Sequence, residues 1–266
     1  MEVLYGLHPV EEAVRSGARR LDSVILARER RDEKLDRLAE LCRAAGVRVS
    51  IQPRDQLTRL ARTDAHQGVL ALVREREFLG IEDLLGTPAT PQPDAPGHRF
   101  FLALDGVEDP HNLGALLRTA DGAGVDGVIL PERRSAPVSA TVAKTSAGAS
   151  EHVRIARVTN LVRSLEQMKQ ANVWVLGLDE RGSPDYMDFD FRTDCVLVLG
   201  REGAGLHDLV KKTCDHLLRI PMAGMVSSLN VSVAGAVVMY EAMRQRRQPP
   251  VPAAPKSAKP RKGLGS

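Results

Sequence analysis

The sequence predicts an α/β protein of two domains: a small α/β domain, then a larger one built on a mostly parallel sheet. Three observations predict this. The chain has 266 residues, long for one compact domain and comfortable for two. Strand and helix patterns alternate along it, and several strands, such as Val196-Leu197-Val198-Leu199, are continuous apolar runs. Such runs belong to parallel strands covered on both faces. Finally, a proline cluster divides the alternating pattern into two parts.

Residues 1–76 form the expected first domain. His8-Pro9-Val10-Glu11-Glu12 reads as a helix start, with proline in the first turn and acids at the positive end of the dipole. Ser23–Ala27 is a short apolar strand. Asp32 to Ala45 carries Leu35, Leu38, Leu41 and Cys42 at helical spacing, and Gly46 stops it. Val47–Ile51 alternates with period two, as a half-buried strand does. A helix at 56–61 and a strand at 68–73 complete a small α/β sandwich.

Residues 77–98 are expected to be a linker, because 87–97 holds four prolines in eleven residues and proline removes backbone donors. In 99–246, strands are expected at 101–104, 128–130, 153–156, 173–178, 195–199 and 217–220. Helices are expected at about 111–123, 138–146, 159–171, 206–213 and 229–246. The remaining 247–266 reads as a disordered tail whose Lys256, Lys259, Arg261 and Lys262 add at most salt-sensitive attraction to RNA.

Composition narrows the function classes. The net charge of +3 permits a nucleic-acid partner without requiring one. Aromatics are 3% of the chain, too few for a broad base-stacking platform. Cys42, Cys195 and Cys214 lack the close spacing of a structural zinc site and read as free thiols of a reducing compartment. The N-terminus has no basic region followed by an apolar run, and no apolar stretch approaches the roughly 20 residues of a membrane span. A soluble, cytoplasmic protein is expected, with no metal.

In open parallel sheets ligands bind beyond the carboxyl ends of strands. Three segments there have unusual chemistry. The first, Asp105-Gly106-Val107-Glu108-Asp109-Pro110-His111-Asn112-Leu113-Gly114, leads to Arg118 six residues after Asn112. Alone it also reads as an elaborate helix cap with a surface arginine. The second is Gly200-Arg201-Glu202-Gly203-Ala204-Gly205. Its glycines let backbone approach a ligand, while Glu202 would repel a phosphate. The third, Ile220-Pro221-Met222 to Ser228-Leu229-Asn230-Val231-Ser232, gathers several hydrogen-bonding groups at one helix start. Val231, Val233, Ala234, Val237 and Val238 follow as a small apolar face for the core or for a dimer. Gly122-Ala123-Gly124-Val125-Asp126-Gly127 matches the dinucleotide fingerprint, but it follows a helix and precedes a strand, so it reads as a helix cap and turn.

Taken together and in this order, the three segments resemble the motifs of the SpoU family of the SPOUT methyltransferases, over about 100–246. Residues 1–76, opening Tyr5-Gly6-Leu7-His8-Pro9-Val10-Glu11-Glu12-Ala13, resemble the ribosomal-protein-like RNA-binding domain in front of many members. The combination is most similar to the 23S ribosomal RNA guanosine 2′-O-methyltransferase branch. Arg201 departs from the pattern, standing where a small or amide residue is common. The resemblance implies a deep trefoil knot, otherwise almost absent from proteins. It implies S-adenosylmethionine held by Leu199, Gly200, Ile220, Met222 and Leu229, and a homodimer in which Arg118 reaches the neighbour's site. It also implies methyl transfer to the ribose 2′-hydroxyl of one nucleotide, a guanosine in 23S ribosomal RNA.

For that reaction the family assigns hydroxyl activation to Arg118. A guanidinium is a poor base, so phosphate binding and stabilisation of the developing alkoxide are the physically easier role; both stay open. Asn112, Glu202, Ser228 and Asn230 would orient the ribose and the loops. Competing readings are an RNA-binding protein that has lost catalysis, a resistance methyltransferase acting on another ribosomal RNA site, and a nicotinamide oxidoreductase. The intact motif residues oppose the first and the misplaced glycines oppose the last.

Overall fold

The computed structural model describes residues 1–29, 33–86 and 97–247. The first domain runs β1 (Glu2–Tyr5), α1 (Leu7–Ser16), β2 (Leu21–Ala27), α2 (Glu33–Ala44), β3 (Arg48–Gln52), α3 (Arg54–Ala61) and β4 (Val69–Val73). Its sheet order is β1-β4-β2-β3, antiparallel except for the β2–β3 pair. β1 is absent from the sequence reading: four residues at a chain start are too few to show a period.

The second domain runs α4 (Ile81–Gly86), β5 (Phe100–Leu104), α5 (Pro110–Ala123), β6 (Gly127–Pro131), α6 (Ala140–Thr145), a 3-10 turn (Ala149–Glu151) and β7 (Ile155–Val158). It continues with α7 (Leu161–Gln170), β8 (Trp174–Leu178), β9 (Cys195–Leu199), α8 (Asp208–Thr213), β10 (His216–Leu218) and α9 (Val231–Arg247). Its six strands lie in the order β10-β8-β9-β5-β6-β7, every pair parallel. The continuous apolar runs have the expected cause. Cys195, Leu197 and Leu199 face a core shared with α5 and α9, while Val196 and Val198 face one shared with α4, α7 and α8. Successive side chains point to opposite faces, and both faces are dry.

The expected linker is corrected at its front. Leu79 is hydrogen-bonded beside β7, its N–H donating to Ile155 O at 3.0 Å. Ile81 and Leu84 of α4 are buried against Phe101, Ala103 and Ile129. The segment from Leu79 to Gly86 therefore belongs physically to the second domain; the proline composition that follows it masks a short amphipathic helix. The proline-rich 87–96 and the tail from 248 lie outside the described residues. Two further boundaries shift: β10 ends at Leu218 and α9 begins at Val231, leaving Ile220, Met222, Ser228, Leu229 and Asn230 in irregular backbone. The glycine pattern at 122–127 is a turn: Gly124 caps α5 in the left-handed region at φ 71°.

The first domain rests on α6 and the 3-10 turn of the second. Ala143 sits in the first domain's core. His152 Nε2 lies 2.7 Å from Glu12 Oε2, and Lys144 Nζ donates to Ala65 O at 2.9 Å. Glu151, almost fully buried, faces Arg76 at 2.8 Å and Arg19 at 3.8 Å. α6 in turn presses on α5, with the Thr145 hydroxyl occupying the space where Gly114 lacks a Cβ. At the opposite edge of the sheet the indole of Trp174, 47% exposed, lies against the His216 ring with centroids 5.5 Å apart.

Candidate active site

The carboxyl ends of β8 and β9 and the chain after β10 enclose a cavity of about 450 Å³, within the usual range for a small-molecule site. Leu199, Gly200, Ile220, Met222 and Leu229 all line it. β9 delivers the first two. Beyond it the chain doubles back on itself: Arg201 and Gly205 exchange backbone hydrogen bonds at 3.0 and 2.9 Å. Gly203 and Gly205 take left-handed backbone, and a Cβ on Gly200 would lie 2.2 Å from the Gly205 carbonyl carbon. The glycines thus close a tight loop that no side chain could enter.

Three of the predicted polar residues, one from each motif, form a hydrogen-bonded triangle. α5 starts with Asp109 capping the His111 N–H at 3.0 Å and Pro110 in the first position, which aims Asn112 inward; it is 8% exposed. Asn112 Nδ2 donates to Glu202 Oε2 at 3.2 Å. Asn230 Nδ2 donates to Asn112 Oδ1 at 3.1 Å and to Glu202 Oε1 at 2.8 Å. Asn230 Oδ1 meanwhile accepts from the Ser232 N–H at 2.9 Å, capping α9. The Glu202 carboxylate therefore ties the loop after β9 to the starts of α5 and α9. Such charge-assisted bonds are the stronger kind. Ser228 lines the cavity with an exposed side chain and no hydrogen bond among the described residues.

Arg118 is not brought to this cavity. It lies exposed on α5, with no hydrogen bond or ion pair among the described residues. The apolar face expected on α9 divides: Val231 and Val238 are buried in the core, whereas Val233 and Tyr240 are about half exposed.

Other residues and contacts at the site were not read from the sequence. Asp179, Glu180 and Arg181 follow β8 and line the cavity, as does Lys211, which donates to Asp179 at 2.7 Å. Burial pushes the Asp179 carboxyl up, but hydrogen bonds from Lys211 and the Arg181 N–H, with both positive charges, outweigh it and hold it below its usual value. The strand-end rule applied at Leu178 points to these residues. Asp105, buried at the end of β5, accepts from the His207 N–H at 2.7 Å and lies 2.8 Å from His207 Nδ1. A pair 102 residues apart leaves no local signal. The cysteines are remote from chemistry: burial pushes Cys42 up to about 11 and Cys195 and Cys214 to about 12.

The cavity fits an adenosyl sulfonium. Leu199, Ile220, Met222 and Leu229 offer an apolar wall for an adenine, and four lining carboxylates, Asp179, Glu180, Glu202 and Asp208, outnumber the three cations, Arg181, Arg201 and Lys211. Among the described residues no group of three or more His, Cys, Asp or Glu side chains could hold a metal ion, and no helix is long and apolar enough to cross a membrane.

Comparison with known proteins agrees with this geometry. Residues 3–79 match a family of RNA 2′-O ribose methyltransferase substrate-binding domains. The chain is 44% identical to the 23S rRNA (guanosine-2′-O-)-methyltransferase RlmB of Pseudomonas aeruginosa, covering 92% of this chain and 97% of that one. It is 42% identical to RlmB of Ralstonia nicotianae, covering 92% and 96%. Among solved structures, the SpoU methyltransferase AviRb of Streptomyces viridochromogenes in complex with the cofactor AdoMet superposes with a TM-score of 0.75 at 26% identity, covering 92% and 90%. An AdoMet-bound rRNA methyltransferase of Sinorhizobium meliloti gives 0.74 at 28%, covering 91% and 87%. Residues 99–240, more than half of the chain, match the SpoU rRNA methylase model, and the protein belongs to the SpoU rRNA methylase family.

Proposed function

We propose that the protein is a dimeric methyltransferase that methylates the ribose 2′-hydroxyl of a guanosine in 23S ribosomal RNA, in the cytoplasm. The triangle of Asn112, Glu202 and Asn230 at the cavity rim carries this reading, because it joins the three motif segments around one apolar pocket. S-adenosylmethionine supplies a methyl group on a sulfonium, a good leaving group, so the protein has to position the hydroxyl and stabilise its oxygen. Leu199, Gly200, Ile220, Met222 and Leu229 hold the cofactor. Asn112, Glu202 and Asn230 keep the rim in place, and Ser228 offers its free hydroxyl to the incoming ribose. A second copy of the chain brings Arg118 to the mouth, where its permanent charge balances the developing alkoxide. The unpaired Arg118 and the half-exposed Val233 and Tyr240 of α9 support this assembly. The trefoil knot of the family belongs to the same reading. The domain division follows: 1–76 recognises RNA, and the second domain carries the chemistry.

The test is transfer from labelled S-adenosylmethionine to a transcript of bacterial 23S ribosomal RNA, with the product nucleoside identified by mass spectrometry and the assembly by light scattering. One 2′-O-methylguanosine per transcript and a dimer are expected. Label on a base, label on no RNA, or full activity from a strict monomer would overturn the corresponding part.

A further inference from the structure

We propose that Arg134 and Arg201, steadied by His207, form a subsite for a phosphodiester of the substrate RNA flanking the methylated nucleotide. This rests on the reading that the substrate is RNA. Three segments meet beside the cavity mouth: the turn after β6, the loop after β9 and the residue before α8. Asp105 is 5% exposed and accepts both hydrogen bonds that fix His207. The other ring nitrogen, Nε2, lies 3.5 Å from Arg134 Nη1. The imidazole thus stands between the buried Asp105 carboxylate and the Arg134 guanidinium.

An exposed arginine ordinarily samples many rotamers and loses that freedom on binding. Here the imidazole fixed by Asp105 lies 3.5 Å from the Arg134 guanidinium and narrows where it points. The same residue takes left-handed backbone at φ 57°, a conformation costly for any side chain except glycine.

Arg201 completes the pair. Its stem lies over Gly106: a Cβ there would be 2.5 Å from Arg201 Cγ and 3.5 Å from His207 Cε1, so arginine stem and imidazole flank one point. Its Nε is out of water and without a hydrogen-bond partner among the described residues. A buried donor without an acceptor is costly, and an anion docked at the guanidinium recovers part of that cost. Of the nearby carboxylates, Asp105 is bonded to His207, and Glu202 to Asn112 and Asn230, while Asp208 is exposed beside the site. Exposed Arg133 adds to the positive potential. The ligand is a phosphodiester rather than the cofactor's carboxylate because Arg134 and His207 stand outside the cavity lining, with Arg201 alone on its edge.

The experiment uses the full-length protein and a bacterial 23S ribosomal RNA transcript, with binding followed by filter retention over a series of salt concentrations. R134A and R201A should each weaken RNA binding severalfold and flatten the log Kd against log salt slope by about 0.7 to 1, the contribution of one phosphate contact. H207A should weaken binding in the wild type but add nothing in the R134A background, which a merely structural histidine would not do. Calorimetry should show unchanged S-adenosylmethionine affinity for R134A. Wild-type RNA affinity and salt slope in both arginine variants would overturn the subsite, as would an R201A defect confined to cofactor binding. If the slopes flatten but no ribose is methylated, the subsite stands and the reaction assignment falls. If methylation is found with unflattened slopes, the reverse holds.

Discussion

Arg118 and Glu202 show how differently two motif residues can act. Glu202 has its oxygens taken by two amides, so its work is structural and local. Arg118 has an exposed side chain and no partner among the described residues of its own chain. If it completes a neighbour's site, Arg118→Ala should leave the melting temperature and cofactor affinity unchanged and lower kcat by about 10²–10³, roughly 3–4 kcal/mol, in single-turnover assays on the ribosomal RNA transcript. Arg118→Lys keeps the charge and loses the planar fork. Recovery of rate by lysine assigns the role to charge, and failure assigns it to bidentate grip. Wild-type turnover in the alanine variant removes Arg118 from catalysis. At this scale the sequence singles out Asn112, Glu202 and Asn230, because they stand in unusual strings, and the structure brings them together. The sequence conceals what they touch: the triangle spans up to 118 residues, and the Asp105–His207 pair spans 102.

The loop after β9 is the most constrained of the elements. The three atoms nearest an added Cβ on Gly200 are all backbone, the first two at 2.2 Å (the Gly205 carbonyl carbon) and 2.4 Å (the Leu206 nitrogen), and backbone cannot swing aside. Gly200→Ala should therefore open the Arg201–Gly205 turn, cost about 1–3 kcal/mol of stability as other overpacking changes do, and weaken S-adenosylmethionine binding at least tenfold by calorimetry. Unchanged cofactor affinity would show that the loop does not shape the pocket. Most elements were legible because both faces of the large sheet are buried, so strand runs such as 195–199 stand out from helices of period 3.6. The exceptions have physical reasons. β1 pairs through backbone that any residue supplies, and α4 is six residues long beside a run of prolines. α9 begins two residues later than the sequence predicts, at Val231, because Asn230 caps it from outside the helix.

At the scale of the whole molecule, α4 decides where the catalytic half begins. Ile81 and Leu84 cover Phe101 and Ala103. A fragment starting at residue 77 retains that cover and one starting at 99 does not, although both lack the first domain. Losing the burial of Ile81 and Leu84 costs about 3–6 kcal/mol, so the shorter fragment should show a clearly lower urea midpoint. Equal midpoints would mean that α4 is a passive tether. The docking of the two halves left no trace in sequence patterns, because it is made by scattered single residues: Glu151 among arginines of the first domain, and His152 against Glu12. The lone tryptophan has a practical consequence of its own. Trp174 opens β8 at the end away from the cavity, about 13 Å along the strand from Leu178, with its indole against an imidazole. Its intrinsic fluorescence is accordingly an optical gauge of the sheet edge, sensitive to unfolding and to the charge on His216 but blind to the filling of the pocket, so folding and ligand occupancy can be followed as separate signals in the unlabelled protein.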